Sequence, residues 1–356
     1  MTTKTIPADK LRTWLEQLIA SGPVFAPQRD EDGFLAFAEI RDPEQVILEF
    51  GNTVVPAKAL FFPRSEALFE LRDLGDVPQI EDNLPPDRPW VLFGARLCDT
   101  KGLALLDLLF QDSEPDPYYT RRRQTCTVIA LTCVEPQLEC FCESSVQALS
   151  EPEGADIVLT PLEGRFLVEA LTEKGEQLLA DASASTEPSG GLFADATDED
   201  AQAKQELVAR VAEAQVRRIS FDGIRDRVAE RHEDEDFWRA ETRACVGCGI
   251  CTFLCPTCSC FDIMDDAIGS EGRRYRCWDS CQFGQFCLEA SGHDPRAEQW
   301  QRQRNRIGHK LYYSVDRLGR ITCVGCGRCI RHCPVNIDIS EVLESLAVVQ
   351  GGVAYE

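Results

Sequence analysis

One run of residues occurs twice in this chain and constrains it more than any other feature. Cys245-Val-Gly-Cys248-Gly-Ile-Cys251-Thr-Phe-Leu-Cys255-Pro256 and the segment from Cys323 to Pro334 both read C-x2-C-x2-C-x3-C-P. Thiolates at three-residue intervals reach the corners of a single four-iron, four-sulfur cubane when the loop between them curls tightly. Gly247, Gly249, Gly325 and Gly327 permit that curl, because glycine reaches positive φ without a Cβ clash. The amides bared by the curl can donate to cluster sulfur and so tune its potential.

In two-cluster ferredoxins the fourth cysteine of each such run binds the cluster of the other run. The expected sets are therefore Cys245, Cys248, Cys251 and Cys333 for the first cluster, and Cys255, Cys323, Cys326 and Cys329 for the second. Two lookalikes fit less well. Cys251, Cys255 and Cys258 also have the C-x3-C-x2-C spacing of radical enzymes that use S-adenosylmethionine, but Cys329 and Cys333 lack a matching third member. Structural zinc favours paired C-x2-C knuckles or Cys/His mixtures, and a third cysteine followed by Cys-Pro departs from both.

Eighteen cysteines in a small secreted chain would read as a disulfide framework. This chain has 356 residues, and its first ten lack the basic-then-apolar layout of a signal peptide. No apolar run approaches the ~20 residues that span a bilayer. The expectation is a reduced, cytoplasmic protein without direct membrane insertion. Net charge is −23, yet residues 237–356 carry fourteen Lys/Arg against fourteen Asp/Glu, so the acidic excess lies entirely in residues 1–236. That surface repels nucleic acid and favours solubility. The cysteine-rich part is locally basic at Arg273, Arg274, Arg276, Arg302, Arg304, Arg306 and Lys310, where cations would offset the negative charge of thiolate-bound cubanes. A solvated helix face accounts for Arg302 to Arg306 equally well.

Residues 8–21 place Leu11, Trp14, Leu15, Leu18 and Ile19 at amphipathic helical spacing. Short β-like runs follow at Val24–Ala26, Phe34–Ile40, Val46–Phe50 and Ala59–Phe62. Trp90 to Gly94 reads as a buried strand feeding a helix from Asp99 to Phe110, and Thr127–Thr132 as a second strand. Residues 157–160 and 165–169 form a hairpin around Glu163-Gly164. The alternation predicts a mixed α/β domain over residues 1–171. Residues 172–206, rich in Ala, Ser, Glu and Asp and containing Glu187-Pro-Ser-Gly-Gly191, read as an acidic linker. A helix is expected over Gln205–Val216. Residues 207–356 are expected to form a mostly helical, ferredoxin-like two-cluster domain. Its 67-residue insertion between Cys255 and Cys323 is unusually long. The chain closes with a helix at Ile337–Val349.

Further motifs occur in order between about residues 90 and 340. They are Phe93-Gly-Ala-Arg-Leu-Cys-Asp99, Asp116-Pro-Tyr-Tyr119 with Arg121 to Arg123, and Cys133 followed by Cys140-Phe-Cys142. Cys255-Pro-Thr-Cys-Ser-Cys260-Phe-Asp262, Trp278-Asp-Ser-Cys281, Gly292-His-Asp-Pro-Arg296 and His309-Lys310 complete the series. Together they resemble the iron–sulfur beta subunits of cytoplasmic nickel–iron hydrogenases of the sulfhydrogenase type, a family that includes the A subunit of anaerobic sulfite reductase. The resemblance implies a non-catalytic subunit relaying electrons between a flavin/NAD(P)H-binding subunit and a catalytic oxidoreductase subunit of a hydrogenase, sulfite reductase or heterodisulfide-reductase-type complex. Cys126, Cys277 and Cys287 have no place in the family pattern.

Cys98, Cys133, Cys140 and Cys142 are the pattern's thiols in the N-terminal domain. Strand ends and the loops after them are where an α/β sheet builds ligand sites, so these four are candidates for a third 4Fe-4S cluster. Buried small apolar residues are the plain alternative. Cys258, Cys260, Cys277 and Cys281, or Cys287 in place of Cys277, are candidates for a fourth site, though C-x-C sits awkwardly on a cubane. His293 and His309 read as structural or docking residues. No Ser/His/Asp arrangement, G-x-G-x-x-G fingerprint or phosphate-cradling loop is present, and no catalytic residue is assigned. The alternative function is a flavoprotein binding FAD, because the N-terminal domain resembles the beta subunit of deazaflavin-reducing hydrogenase.

Overall fold

The computed structural model describes residues 2–72, 79–184 and 191–346. Strand β1 (Thr3–Pro7) leads to helix α1 (Leu11–Ser21), which buries Leu11, Trp14, Leu15 and Leu18 as its periodicity predicts. β2 (Val24–Arg29) and β3 (Leu35–Ile40) form a hairpin. Residues 46–50 form no regular element, and Ala59–Phe62 lie at helix α2 (Lys58–Phe61) instead of in a strand. The reason is tertiary: the helical turn aims Phe61 at Trp90 and Phe62 at Phe110 and Trp278, a cluster that overrides the β-like composition. β4 (Ser65–Arg72) and β5 (Gln79–Asp82) pair antiparallel.

β6 (Trp90–Arg96) runs straight into α3 (Leu97–Phe110). α4 (Pro117–Thr125), N-capped by the Asp116 carboxylate on Tyr119 N, precedes β7 (Cys126–Leu131). Beyond α5 (Cys142–Val146), β8 (Ile157–Leu162) and β9 (Arg165–Ala170) make the expected hairpin. The segment read as a linker is largely structured: α6 (Glu173–Ala184), β10 (Ala194–Asp195) and α7 (Asp198–Glu213). A capping box between Thr197 and Asp200 starts α7, an arrangement worth about 1 kcal/mol. Leu179 and Ala182 of α6 and Leu207 and Val211 of α7 are buried beneath acidic outer faces. Composition registered those outer faces and missed the narrow apolar stripes. Residues 187–190 of the Pro/Gly turn lie outside the described residues.

Eight strands form one mixed sheet in the order β10-β1-β9-β8-β7-β6-β2-β3, with β2, β6, β7 and β8 mutually parallel. Both faces are covered, so the central strands are apolar at most positions. Val91, Phe93, Ile129 and Leu131 face Trp14 of α1 and Leu179 of α6. Leu92, Val128, Ala130 and Val158 face Leu103 and Leu106 of α3 and Leu207 of α7.

The remaining chain, where the sequence predicts mostly helix, is largely irregular, joined by short helices: α8 (Ile224–Glu230), α9 (Glu235–Thr242), α10 (Ile250–Phe253), then, after the insertion, α11 (Gln299–Leu311), α12 (Tyr313–Leu318), α13 (Arg328–Arg331) and α14 (Ile339–Ser345). The expected C-terminal helix thus covers 339–345, and residues 347–349 lie outside the described residues. The insertion holds a hairpin of β11 (Phe261–Ile268) and β12 (Glu271–Trp278), and β12 pairs with β4 of the N-terminal half. The four-stranded sheet β11-β12-β4-β5 results. Buried Arg276 anchors it, with an ion pair to Glu66 at 2.6 Å and another to Asp116. Trp278, Val324 and Cys326 share a core with α3, so the two halves of the chain pack as one body.

Candidate metal centres

The two runs adopt the same local conformation. Gly249 (φ +76°) starts α10, and Gly327 (φ +74°) starts α13. Gly325 and Gly327 are also held by close approach. A Cβ on Gly325 would lie 2.6 Å from the Phe141 carbonyl, and one on Gly327 would lie 2.7 Å from Glu139. The second run therefore presses its bare backbone onto the Cys140–Cys142 segment, where Phe141 N donates to Gly325 O at 2.8 Å.

The cysteines of the two runs lie close together, and Cys329 of the second run borders the pocket of the first. Cys245, Cys248, Cys251 and Cys333 line one pocket together with Gln303 and Arg306. Gln299 and Gln303 donate to Cys245 Sγ at 3.2 and 3.0 Å, and Ile337 N donates to Cys333 Sγ at 3.1 Å. Cys255 lies within electrostatic reach of Cys323, Cys326 and Cys329 of the other run, and also of Cys258.

The N-terminal thiols also meet. Cys98 is the second residue of α3, Cys133 follows β7 by two residues, and Cys142 opens α5, so all three lie past the C-terminal edge of the parallel strands. With Cys140 they line a single pocket, into which Gln215 donates to Cys142 Sγ at 3.2 Å. Buried Arg96 pins the edge by donating to the Gly51, Leu131 and Thr132 carbonyls at 2.9, 3.2 and 3.1 Å. Cys126 stands at the opposite end of β7, buried and apart from this pocket.

Of the fourth candidate set, Cys258, Cys260 and Cys281 share a cavity. Cys277 does not join them: it lies on β12 with its Sγ 3.4 Å from Ser65 Oγ. Cys287 is likewise elsewhere, donating to Asp294 Oδ1 at 3.2 Å. Strand pairing with β4 turns Cys277 away, which spacing alone does not reveal.

Charge distinguishes these sites from ordinary core cysteines. Burial pushes up the thiols of Cys98, Cys133, Cys140, Cys142, Cys251, Cys323, Cys326 and Cys329. Beside the thiols of the two runs, though not those of the N-terminal site, lie three cations, Lys58, Arg306 and Lys310, each at most 4% exposed. Lys58 donates to the Thr252 and Cys258 carbonyls and Lys310 to Thr257 Oγ1, while Arg306 Nε has no hydrogen-bond partner. Among the described residues none of the three is ion-paired to a carboxylate; the anionisable groups that act on them are thiols, among them Cys251, Cys255, Cys258 and Cys329. A buried cation without an anion costs several kcal/mol. Metal coordination deprotonates thiols outright and supplies that anion, so the donor set fits metal clusters. Among the described residues no three Cys, His, Asp or Glu side chains converge tightly enough for a single ion. Cubane ligands are less restricted, since they stand at separate corners of a cluster.

The other basic residues do different work. Arg273 and Arg274 pair on the exposed hairpin with Asp266 and Asp265, Arg302 binds Gln299 and two carbonyls, and Arg304 donates to His232 O. Tyr119 and Arg123 brace α3 through Asp107, which accepts from both at 2.7–2.9 Å. Sequence reasoning missed Lys58 and the ion pair of Asp99 with Arg328, for neither lies near its partners in the chain. His293 is exposed, and His309 lines the cavity of Cys258.

Fold and sites define an iron–sulfur protein: a 4Fe-4S dicluster domain family matches residues 244–337. Over its whole length the chain is more specific than that. It is 30% identical over 326 residues, 91% of this chain and 92% of the relative, to sulfhydrogenase 2 subunit beta of Pyrococcus furiosus. The chain belongs to this family of iron–sulfur beta subunits. No helix among the described residues is long and apolar enough to cross a membrane.

Proposed function

We propose that this chain is an electron-relay subunit with three 4Fe-4S clusters, standing between a flavin/NAD(P)H-linked subunit and a catalytic subunit. The ligand sets are Cys245, Cys248, Cys251 and Cys333; Cys255, Cys323, Cys326 and Cys329; and Cys98, Cys133, Cys140 and Cys142. When bound, such clusters accept and pass single electrons. The observation that carries this reading is the group of buried, carboxylate-free cations Lys58, Arg306 and Lys310 beside thiols of both runs. Their charge favours a reduced, more negative centre. Glutamine amides on Cys245 and Cys142 act in the same sense, since N–H donors to sulfur stabilise the added electron. The Phe141–Gly325 hydrogen bond keeps the N-terminal site beside the second run.

The test is reduction of the full chain by itself. Dithionite reduces its clusters, whereas NADH and NADPH do so only after a flavin subunit is added. Rapid reduction by either nucleotide without that subunit, or stoichiometric FAD extracted from the chain, would overturn the relay reading in favour of a flavoprotein.

A further inference from the structure

A cavity of about 500 Å³ lies between α3 and the α11–α12 corner, outside the three ligand sets. Its size falls in the range of small-molecule sites, about 300–1,000 Å³. One wall presents Cys258, Cys260 and Cys281; another presents Arg306, His309 and Lys310; leucines of α3 close the far side. No carboxylate lines it. Two of the three thiols are drawn together by the surrounding backbone, while Cys258 lies on the side of the cavity toward Cys255. Asp279 N donates to Cys260 O at 3.0 Å, which brings the turn ending in Cys281 onto Cys260, so that the two thiols lie within electrostatic reach of each other. Gln282 Nε2 donates to Cys281 Sγ at 3.3 Å.

We propose that Cys258, Cys260 and Cys281 hold a fourth cubane through three thiolates, and that its remaining iron faces the cavity and takes a small anionic ligand. The proposal rests on reading the chain as an iron–sulfur protein and adds a ligand-binding centre to the relay. Three points carry it. The two spare cysteines of the insertion are turned away, Cys277 toward Ser65 and Cys287 toward Asp294, so neither completes the set. The cavity extends beyond the thiols to a leucine wall, leaving space at the fourth corner. Arg306, 4% exposed and with an unpartnered Nε, lies on the cavity wall with buried Lys310, so a small anion entering there meets two cations and no competing carboxylate. His309, on the same wall, is the competing fourth ligand.

The experiment uses the full chain in its native complex, purified anaerobically and enriched in ⁵⁷Fe, with cyanide as the probe. The chain is expected to hold about sixteen irons. Cys260→Ser and Cys281→Ser each lower that number by about four and leave the reduced signals of the other clusters unchanged. Cyanide added to the unaltered chain shifts the Mössbauer spectrum of one cluster only, a readout that requires no variant to fold. Unchanged iron in both variants, no response to cyanide, or loss of the fourth cluster in His309→Ala overturns the proposal. About twelve irons with no cyanide response removes the fourth centre and leaves the relay intact, whereas a chain without reducible clusters removes the relay itself.

Discussion

Asp99 and Arg328 form a bidentate ion pair, 2.8 Å at both contacts, with exposures of 1% and 0%. It ties the residue after Cys98 to the residue before Cys329, and so locks the N-terminal site to the second run. Arg328 also donates to Thr53 O at 2.7 Å. Asp99→Asn leaves the guanidinium buried and uncompensated, a loss of about 3–5 kcal/mol. Denaturant unfolding of the metal-loaded chain checks this. Asp99→Asn combined with Arg328→Met should be less destabilised than the sum of the single variants, and simple additivity would show that the two charges do not act as a pair.

Cys333 lines the pocket of Cys245, Cys248 and Cys251 although it belongs to the other run. Cys333→Ala should therefore alter the electron paramagnetic resonance of that first cluster and spare the one bound by Cys323, Cys326 and Cys329. Cys255→Ala should do the converse. Each variant disturbing its own run's cluster would disprove the crossing.

Within the N-terminal half, Cys140→Ser should remove about four irons. Cys126→Ser should leave the iron content unchanged, because Cys126 sits at the far end of β7 and does not line the pocket of the other four. Equal iron in both variants would mean that Cys140 is an ordinary core thiol.

Glu153 joins Lys101 of α3 to Arg320, just ahead of the second run, at 3.2 and 2.7 Å. The hydrogen bond from Arg320, helped by Lys101, lowers its carboxyl to about 2 from 4.5. A depressed folded value stabilises above the unfolded one, and the benefit fades as pH falls through the folded value. The Tm difference between the native chain and Glu153→Gln should be full above about pH 4.5 and vanish toward pH 2. Because the carboxylate is partly exposed, it is worth about 1 kcal/mol or less. A difference that is constant over this window would assign the effect to something other than the charge.

The legible parts of this molecule were those written locally. Cysteine spacing marked both runs, and apolar runs at 90–94 and 127–132 marked two buried strands and the sheet edge past which Cys98 and Cys133 lie. What escaped depends on residues far apart in the chain. Ala59–Phe62 has strand-like composition, yet aromatic neighbours from 90, 110 and 278 make it a helix. The pairing of Cys277 with Ser65 removed it from the fourth site. Arg306 looked no different in sequence from Arg302 or Arg304, and only its burial beside thiols of both runs separates them. The Cys98 pocket also draws in Val211 and Gln215 of the following segment, which a boundary at residue 171 would cut away.

The pairing of β12 with β4 also sets a timetable. Ser65 leaves the ribosome 212 residues before Cys277, the partner it faces across the ladder. Until then β4 has only β5 beside it, and a two-stranded ribbon is at best marginally stable in water. The turn from Glu139 to Cys142 waits longer still, for the bare backbone at Gly325 and Gly327 that covers it. Contacts this distant in sequence form slowly. All four thiols of the N-terminal site are synthesised early, but their housing is finished only by the second run, at Gly325 and Gly327. A nascent chain stalled midway displays these thiols without the backbone that covers them.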